Sequence, residues 1–404
     1  MRILLITDLY PPMIGGVPTT THELALDLAK RGHQVWVIAP SERARTVRES
    51  ARNLRVHRFA SFEWPSYEGL RIAFLPVASV SALIRQIRPD IIHVHSLLML
   101  GQIGRMLGKS LGIPVIGTNH YLPINLSATL SASAFSKPFN ALTYRYIVSF
   151  FNGCDMVTSP TATAVSLLRS QGLRVPARAI SNGVRVTKFA DAQPDAALLR
   201  ALRIPADTPI LLHANRLSKE KRVDVVLEAM RHITHPAHLI IVGSGPERQR
   251  LARQARELGL EDRVTFSGWI GDDTLAKLYM ASSVFMIASE GELQSIATMD
   301  AMLAGLPVIA ANAVALPELV QNGRSGTLFP PGDSVACAAA VNRLLADKRL
   351  RERMGAAGRQ LILAHDRELI LDQWEEVYQE ARGLALRKGA SLYHARAALA
   401  RRGE

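Results

Sequence analysis

Cysteine is almost missing from this 404-residue chain: Cys154 and Cys337 stand in different halves. Two thiols so separated show neither a metal-ligand spacing nor a disulfide framework, and they fit a reducing compartment. Long apolar runs are missing too. No stretch reaches about 18 residues without charge or strong polarity, and the run Ile3-Leu4-Leu5-Ile6 is too short for the core of a secretory signal. No membrane span is predicted, and the expected location is the cytoplasm. Two absent motifs exclude further classes. The loop after the first predicted strand reads Pro11-Pro12-Met13-Ile14-Gly15-Gly16-Val17. It lacks Gly-x-Gly-x-x-Gly, which argues against a nicotinamide-dependent oxidoreductase. No Asp-x-Asp stands in a suitable loop; Asp272-Asp273 reads as a helix cap, so no metal is expected. His93 and His95 project from one strand face, but no third and fourth ligands follow at zinc spacing.

Acidic residues are scarce in one half only. Residues 1–200 hold 22 Lys/Arg against 11 Asp/Glu, and the remainder holds 26 against 24, an excess of +11 and of +2. A one-sided basic domain suits an anionic partner such as a membrane surface or a phosphorylated acceptor, while solubility alone would produce the same excess. No nucleic-acid partner is expected.

What is present is repeated alternation of short apolar runs with helical patterns. Arg2–Asp8 reads as a strand, Thr20–Arg31 as a helix stopped by Gly32, and Gln34–Ala39 as the next strand. Asp90–His95, Val115–Thr118, Asp155–Ser159 and Ala179–Ile180 continue the series. Lys188–Asp207, with Pro194 and Pro205, suits a linker. A second series runs through strands at Ile210–Ala214, His238–Gly243 and Val264–Phe266, with helices at Arg222–Ile233, Glu247–Leu258 and Asp273–Ala281. The length and this double alternation predict an α/β protein of two doubly wound, Rossmann-like lobes facing across a cleft. The first spans 1–188 and the second 205–365. A charged helix follows at 366–383, then a basic tail at 384–404 that is either an amphipathic helix or frayed.

The segment from Val284 to Ala310 carries the sharpest signal. It reads as a buried strand, a polar loop with Glu292, a helix with Asp300, a Gly stop and a second buried strand. Its acids therefore stand beyond the carboxyl end of a parallel strand, where open α/β sheets bind ligands. Glu-x7-Asp followed by Ala-Met-x-Ala-Gly-x-Pro-Val resembles the Glu-x7-Glu signature of the retaining nucleotide-sugar glycosyltransferases of family four, which have the GT-B fold. Further motifs occur in order. Asn215-Arg216-Leu217-Ser218-Lys219-Glu220-Lys221-Arg222 is similar to the family's Gly-Arg-Leu-x-x-Glu-Lys-Gly, with Asn215 and Arg222 replacing its two glycines. Val242-Gly243-Ser244-Gly245-Pro246 matches its Val-Gly-x-Gly-Pro turn. The resemblance covers the chain from Met1 to about Gly383.

The resemblance implies roles for individual residues. Gly15 and Gly16 would cradle the donor diphosphate, where paired glycines let backbone approach closely and a helix start favours an anion. Arg216 and Lys221 would carry the leaving diphosphate, because fixed cations stabilise charge that develops as the glycosidic bond breaks. Gly243 would lie beneath the donor, and backbone near Ile270 would meet the nucleobase. Glu292 would hold hydroxyls of the transferred sugar, amides near Ser295 and Ile296 would meet the diphosphate, and Asp300 would bind ribose. Family members have Glu at the last position, so the shorter side chain bears on that contact. His120, after the strand Val115–Thr118, would face the donor sugar. The 366–383 helix would pack back on the first lobe.

The resulting expectation is a retaining, metal-independent hexosyltransferase using a nucleoside-diphosphate hexose, with no cofactor. Residues 121–152 combine Tyr121, Phe135, Phe139, Tyr144, Tyr146, Phe150 and Phe151 with Lys137 and Arg145. With the basic first lobe they suit a lipid acceptor and peripheral attachment to the inner face of the cell membrane. An ordinary core helix with a polar loop reads equally from them, and a soluble sugar or sugar phosphate is the competing acceptor. A non-catalytic nucleotide-sugar-binding protein of this fold would be expected to have lost Glu292 or Lys221.

Overall fold

The computed structural model describes residues 1–43, 45–64, 70–74, 76–124, 136–205 and 207–400, with backbone alone at 136–137 and 385–400. The chain forms two compact units. One contains Met1–Tyr121, Lys137–Ile180 and the chain from Ile370 onward; the other contains Ser181–Leu369 with the short stretch from Leu122. The change at Ile180–Ser181 falls ahead of the boundary expected at 188.

The first unit is built on β1 (Arg2–Ile6), α1 (Gly16–Lys30), β2 (Gln34–Pro40), β3 (Val47–Ala51), β4 (Leu54–Phe59), β5 (Ser61–Glu63) and β6 (Arg71–Ala73). It continues through α2 (Val77–Ile87), β7 (Ile91–Val94), α3 (Met99–Leu111), β8 (Val115–Thr118), α4 (Ser136–Phe151), β9 (Met156–Ser159), α5 (Ala162–Ser170) and β10 (Ala177–Ala179). Its main sheet runs β10-β9-β8-β7-β1-β2-β4-β3, parallel except for β3, and β5 and β6 form a separate hairpin. The run Ile3–Ile6 is fully buried because both sheet faces are covered. Ile3 and Leu5 face Leu24 and Leu28 of α1, whereas Leu4 and Ile6 face Ile84, Leu107 and Phe151. Helix α3 packs so closely that a Cβ at Gly104 would meet Ile6 Cδ1 at 2.5 Å, and one at Gly108 would meet Val115 Cγ2 at 2.4 Å. Nothing larger than glycine fits there without displacing strand residues.

The second unit begins with α6 (Ala196–Ala201) and β11 (Ile210–Ala214), followed by α7 (Val223–Met230), β12 (His238–Val242), α8 (Arg248–Glu257), β13 (Val264–Gly268) and α9 (Asp272–Ala281). It is completed by β14 (Val284–Ile287), α10 (Ile296–Leu303), β15 (Val308–Ala311), α11 (Leu316–Leu319), β16 (Gly326–Phe329), α12 (Ser334–Ala346) and α13 (Lys348–Ile362). Its sheet runs β13-β12-β11-β14-β15-β16, and all strand pairs are parallel.

The last helix, α14, spans Arg367–Ala400, so it runs on through the tail rather than ending near residue 383. Ile370, Leu371, Trp374, Val377, Tyr378 and Ala381 recur at helical spacing and are buried against the β1 side of the first unit's core. Side chains of this size contribute roughly 1.5–3 kcal/mol each when fully buried, which is ample to fix the helix there. Arg31 Nη1 to Asp372 at 2.6 Å and His33 Nε2 to Glu375 at 2.9 Å edge the contact.

Some elements depart from expectation. The Lys188–Asp207 stretch is not all linker: Asp195 Oδ1 accepts from the amides of Ala197 at 2.9 Å and Leu198 at 3.1 Å, capping α6. Strands β3, β5 and β6 carry no apolar periodicity that would have announced them; β3 is an edge strand, exposed along most of its length. Phe150 and Phe151 belong to the core rather than to a groove, Phe139 and Tyr144 are half-buried, and Phe135 lies outside the described residues.

Candidate active site

Strand order locates the working edge of each unit. In the second unit the chain builds outward from β11 through β12 and β13, then returns to place β14, β15 and β16 on the other side, so the order reverses between β11 and β14. In open parallel sheets the region beyond the carboxyl ends of the strands at such a reversal is where ligands bind. Asn215–Arg222 follows β11 and Ser289–Ser295 follows β14.

These loops bring Lys221 and Glu292 together. Lys221 Nζ donates to Glu292 Oε1 at 2.8 Å, and Asn215 Nδ2 donates to the same oxygen at 3.1 Å. The side chains of Lys221 and Glu292 are 12% and 9% exposed. An ammonium has three donors, so the pair leaves Lys221 capacity toward a diphosphate. Asn215, read from sequence as a missing glycine, is thus a site residue whose Oδ1 also accepts from the Arg216 amide at 3.0 Å. Arg222 adopts φ 47 in place of the family's glycine, and its guanidinium pairs with Asp224 and Glu290. The Glu290 amide donates to the Glu220 carbonyl at 2.9 Å, tying the two loops by backbone as well.

Gly243 supports this arrangement from below. It has φ 130, and a Cβ there would lie 2.0 Å from the Asn215 carbonyl oxygen. Its amide donates to Gly268 at 2.8 Å, just before half-buried Ile270. At the start of α10, Ser295 Oγ accepts from the Thr298 amide at 3.2 Å, so a serine where the family has glycine serves as an N-cap. The first-turn amides from Ile296 onward lack intrahelical partners, as at any helix start. Asp300, 5% exposed, receives Lys188 Nζ at 2.6 Å. Lys188 was not foreseen, because it is distant in sequence from every motif. His213 is buried beneath the loop with Nδ1 on the Met286 carbonyl at 2.9 Å, and burial pushes its pKa down to about 4.

In the first unit the order reverses between β1 and β7. The loop after β1 leads to α1, where Gly15 is the N-cap without a side-chain cap and Gly16 is the first helical residue. Arg58 Nη1 donates to the Pro11 carbonyl at 2.8 Å and its guanidinium lies 5.3 Å over the Tyr10 ring. Buried Asp8 accepts from Ser96 Oγ at 2.5 Å and from the Leu100 amide at 3.0 Å, joining the loops after β1 and β7.

Half-buried His120 adjoins the buried imidazoles of His93 and His95. His95 Nδ1 and His120 Nε2 are 3.1 Å apart; the His93 and His95 rings are 3.9 Å apart. His93 is held by the Tyr378 hydroxyl at 3.0 Å and the Thr118 hydroxyl at 2.6 Å, so both its nitrogens are used. Burial pushes all three pKa values down, that of His120 to about 4, leaving neutral rings at physiological pH. His95 Nε2 is buried and finds no hydrogen-bond partner among the described residues. His95 and Tyr378 are site neighbours that the sequence did not reveal as such. Among the described residues no three His, Cys, Asp or Glu side chains converge as metal ligands, and no helix is long and apolar enough to cross a membrane.

Known proteins resemble this chain in sequence and in fold. The family model for Glycosyltransferase Family 4 matches residues 14–188, and that for Glycosyl transferases group 1 matches residues 195–361. An alpha-monoglucosyldiacylglycerol synthase of Streptococcus pneumoniae is 28% identical over 360 residues, 87% of this chain and 80% of that protein. A GDP-mannose-dependent alpha-mannosyltransferase of Mycolicibacterium smegmatis is 28% identical over 389 residues, covering 95% and 98%. The structure of a sucrose-phosphate synthase from Thermosynechococcus elongatus superposes with a TM-score of 0.78 at 25% identity over 94% of this chain and 98% of that one. The chain belongs to glycosyltransferase family four and has the GT-B fold.

Proposed function

We propose that this glycosyltransferase moves a hexose from a nucleoside diphosphate to a membrane lipid, with retention of configuration and without a metal. The observation that carries the reading is the Asn215–Lys221–Glu292 constellation at the switch point of the second unit. Lys221 and Arg216 stabilise the departing diphosphate, a task that a divalent cation performs where such fixed charges are lacking. Glu292, held by two donors on one oxygen, keeps accepting capacity for sugar hydroxyls. The bond from the anomeric carbon to phosphate breaks, a bond to the acceptor oxygen forms on the same face, and the acceptor proton passes to the leaving phosphate. Asp300 with Lys188 takes the ribose. Neutral His120 donates or accepts a hydrogen bond at the sugar without adding charge.

The acceptor reading is supported by the basic first half, by exposed apolar side chains in the first unit, and by a relative whose name specifies a monoglucosyldiacylglycerol product. A soluble sugar or sugar phosphate is the second reading, favoured by the likeness to a sucrose-phosphate synthase. Turnover of radiolabelled UDP- and GDP-hexoses against detergent-dispersed diacylglycerol, phosphatidylinositol and soluble sugars, with and without EDTA, tests it. The expected outcome is a chelator-insensitive glycolipid with the donor's anomeric configuration. Labelled soluble product alone refutes the acceptor, an inverted anomer refutes the mechanism, and loss on chelation restored by manganese refutes metal independence.

A further inference from the structure

The β5–β6 hairpin has an unusual surface for a water-facing element. Phe62 is 41% exposed, Trp64 46% and Phe74 56%, and the Phe62 and Phe74 rings lie 5.5 Å apart. The hairpin is anchored from its polar side: Arg71 Nε donates to the Ser41 carbonyl at 2.8 Å and to Ser61 Oγ at 2.9 Å, and the Phe74 amide donates to Ala60 at 3.0 Å. Firm backbone attachment with aromatic rings turned outward is an arrangement that a core does not require. Large exposed apolar groups grouped in this way mark an interaction surface.

The strands that lead into the hairpin are cationic. Arg43, Arg45 and Arg48 are exposed beside or on β3, near the carboxyl end of β4, whereas Arg52 and Arg55 are exposed toward its amino end. Arg58, the sixth of this run, is turned inward onto Pro11, Tyr10 and Glu49. Of the acids among the described residues of these strands, Glu49 is paired with Arg58 and Glu63 with Arg71 at 3.6 Å, which leaves Glu42 against Arg43, Arg45 and Arg48. The hairpin and the β1–α1 loop, whose Ile14 is 67% exposed, both leave the carboxyl end of the adjacent parallel strands β1, β2 and β4. That is the end carrying Gly15 and Gly16.

We infer that this surface, the Phe62, Trp64 and Phe74 aromatics with Arg43, Arg45 and Arg48 at the same end of the strands, seats the first unit on an anionic lipid bilayer. Tryptophan and phenylalanine partition into the headgroup region, and each arginine near an anionic leaflet adds attraction. A protein partner would need a matching acidic and apolar face, whereas an anionic bilayer supplies both at once. The choice of occupant rests on the lipid-acceptor reading above, and the location of the surface rests on the exposed residues themselves.

Vesicle sedimentation with the full chain tests the inference, using phosphatidylcholine alone and phosphatidylcholine mixed with phosphatidylglycerol. The expected result is salt-sensitive binding to the anionic vesicles only, with a blue shift of tryptophan emission that Trp64→Phe abolishes. Phe62→Ser with Trp64→Ser and Phe74→Ser should lower the partition coefficient roughly tenfold or more, as should Arg43→Glu with Arg45→Glu and Arg48→Glu. These side chains are exposed, so both combinations should keep the wild-type melting temperature and wild-type turnover of a detergent-dispersed acceptor. Equal binding to both vesicles, no binding, or unchanged binding by the aromatic variant overturns the surface. So does a concentration-dependent dimer abolished by the aromatic substitutions, which would make a second copy the occupant. Binding through the patch combined with turnover of soluble sugars only would uphold the surface and reject the lipid acceptor; glycolipid formation without vesicle binding would do the reverse.

Discussion

Replacing Lys221 with Ala should separate what the Lys221–Glu292 pair does for folding from what it does for the donor. At 2.8 Å and an effective dielectric of about 20 the attraction is about 6 kcal/mol, most of it offset by desolvation of two groups that are each about nine-tenths buried. Removing one partner strands the other charge, which typically costs about 3–5 kcal/mol. Asn215 still donates to Glu292 at 3.1 Å and softens the loss, so we expect about 2–4 kcal/mol by urea unfolding. Glu292→Gln keeps an acceptor at Oε1 and should cost less. The combination Lys221→Ala with Glu292→Gln should recover part of the stability, giving a coupling energy of about 2 kcal/mol. Nucleotide affinity should behave differently. Calorimetry with UDP and GDP should show a loss of about 2 kcal/mol, near 30-fold, in every variant lacking Lys221, including the stabilised double variant. A coupling energy of zero would refute the energetic role of the pair; unchanged nucleotide affinity would refute the assignment of Lys221 to the leaving group.

Other perturbations have equally definite outcomes. Burial holds His93, His95 and His120 neutral, His120 with a pKa of about 4 against an ordinary 6.5, so the unfolded chain binds more protons between those values. Stability should be full above 6.5 and decline as pH falls toward 4, with His120 alone accounting for about 3 kcal/mol; a melting temperature flat across that window would contradict this. Gly243→Ala, with its Cβ 2.0 Å from the Asn215 carbonyl at φ 130, should destabilise by about 2–4 kcal/mol and weaken donor binding, and a wild-type melting temperature would show the close approach to be dispensable. Asp300→Asn should cost about 1 kcal/mol or less of stability, since Lys188 is 33% exposed, yet abolish a roughly tenfold preference for UDP over its 2′-deoxy analogue; a preference that survives would remove Asp300 from the ribose.

The βα alternation, both lobes and the positions of Glu292, Arg216 and Lys221 were legible because each depends on a local pattern: a short apolar run, a cap, a loop of recognisable residues. Pairings across the sheet were not. Lys221 and Glu292 are 71 residues apart, and only the adjacency of β11 and β14 brings their loops together. Asn215 was visible only as a missing glycine, since nothing local indicates that its amide reaches a carboxylate 77 residues on. Lys188 and Tyr378 were hidden for the same reason, being supplied to Asp300 and His93 by distant parts of the chain. The β5–β6 hairpin escaped because three-residue strands offer too few alternations to count.

The loops after β11 and β14 are fastened to one another by the Glu290 amide on Glu220, the Ser289 hydroxyl on the same carbonyl at 3.2 Å, and the Arg222 and Lys221 ion pairs. Freezing a mobile loop residue ordinarily costs about 1–2 kcal/mol, and here that entropy was spent when the chain folded. Donor binding on this side should consequently carry little ordering entropy. On the role proposed for Glu292 the same rigidity narrows tolerance, because a hexose epimer with a misplaced hydroxyl would meet a carboxylate that cannot follow it.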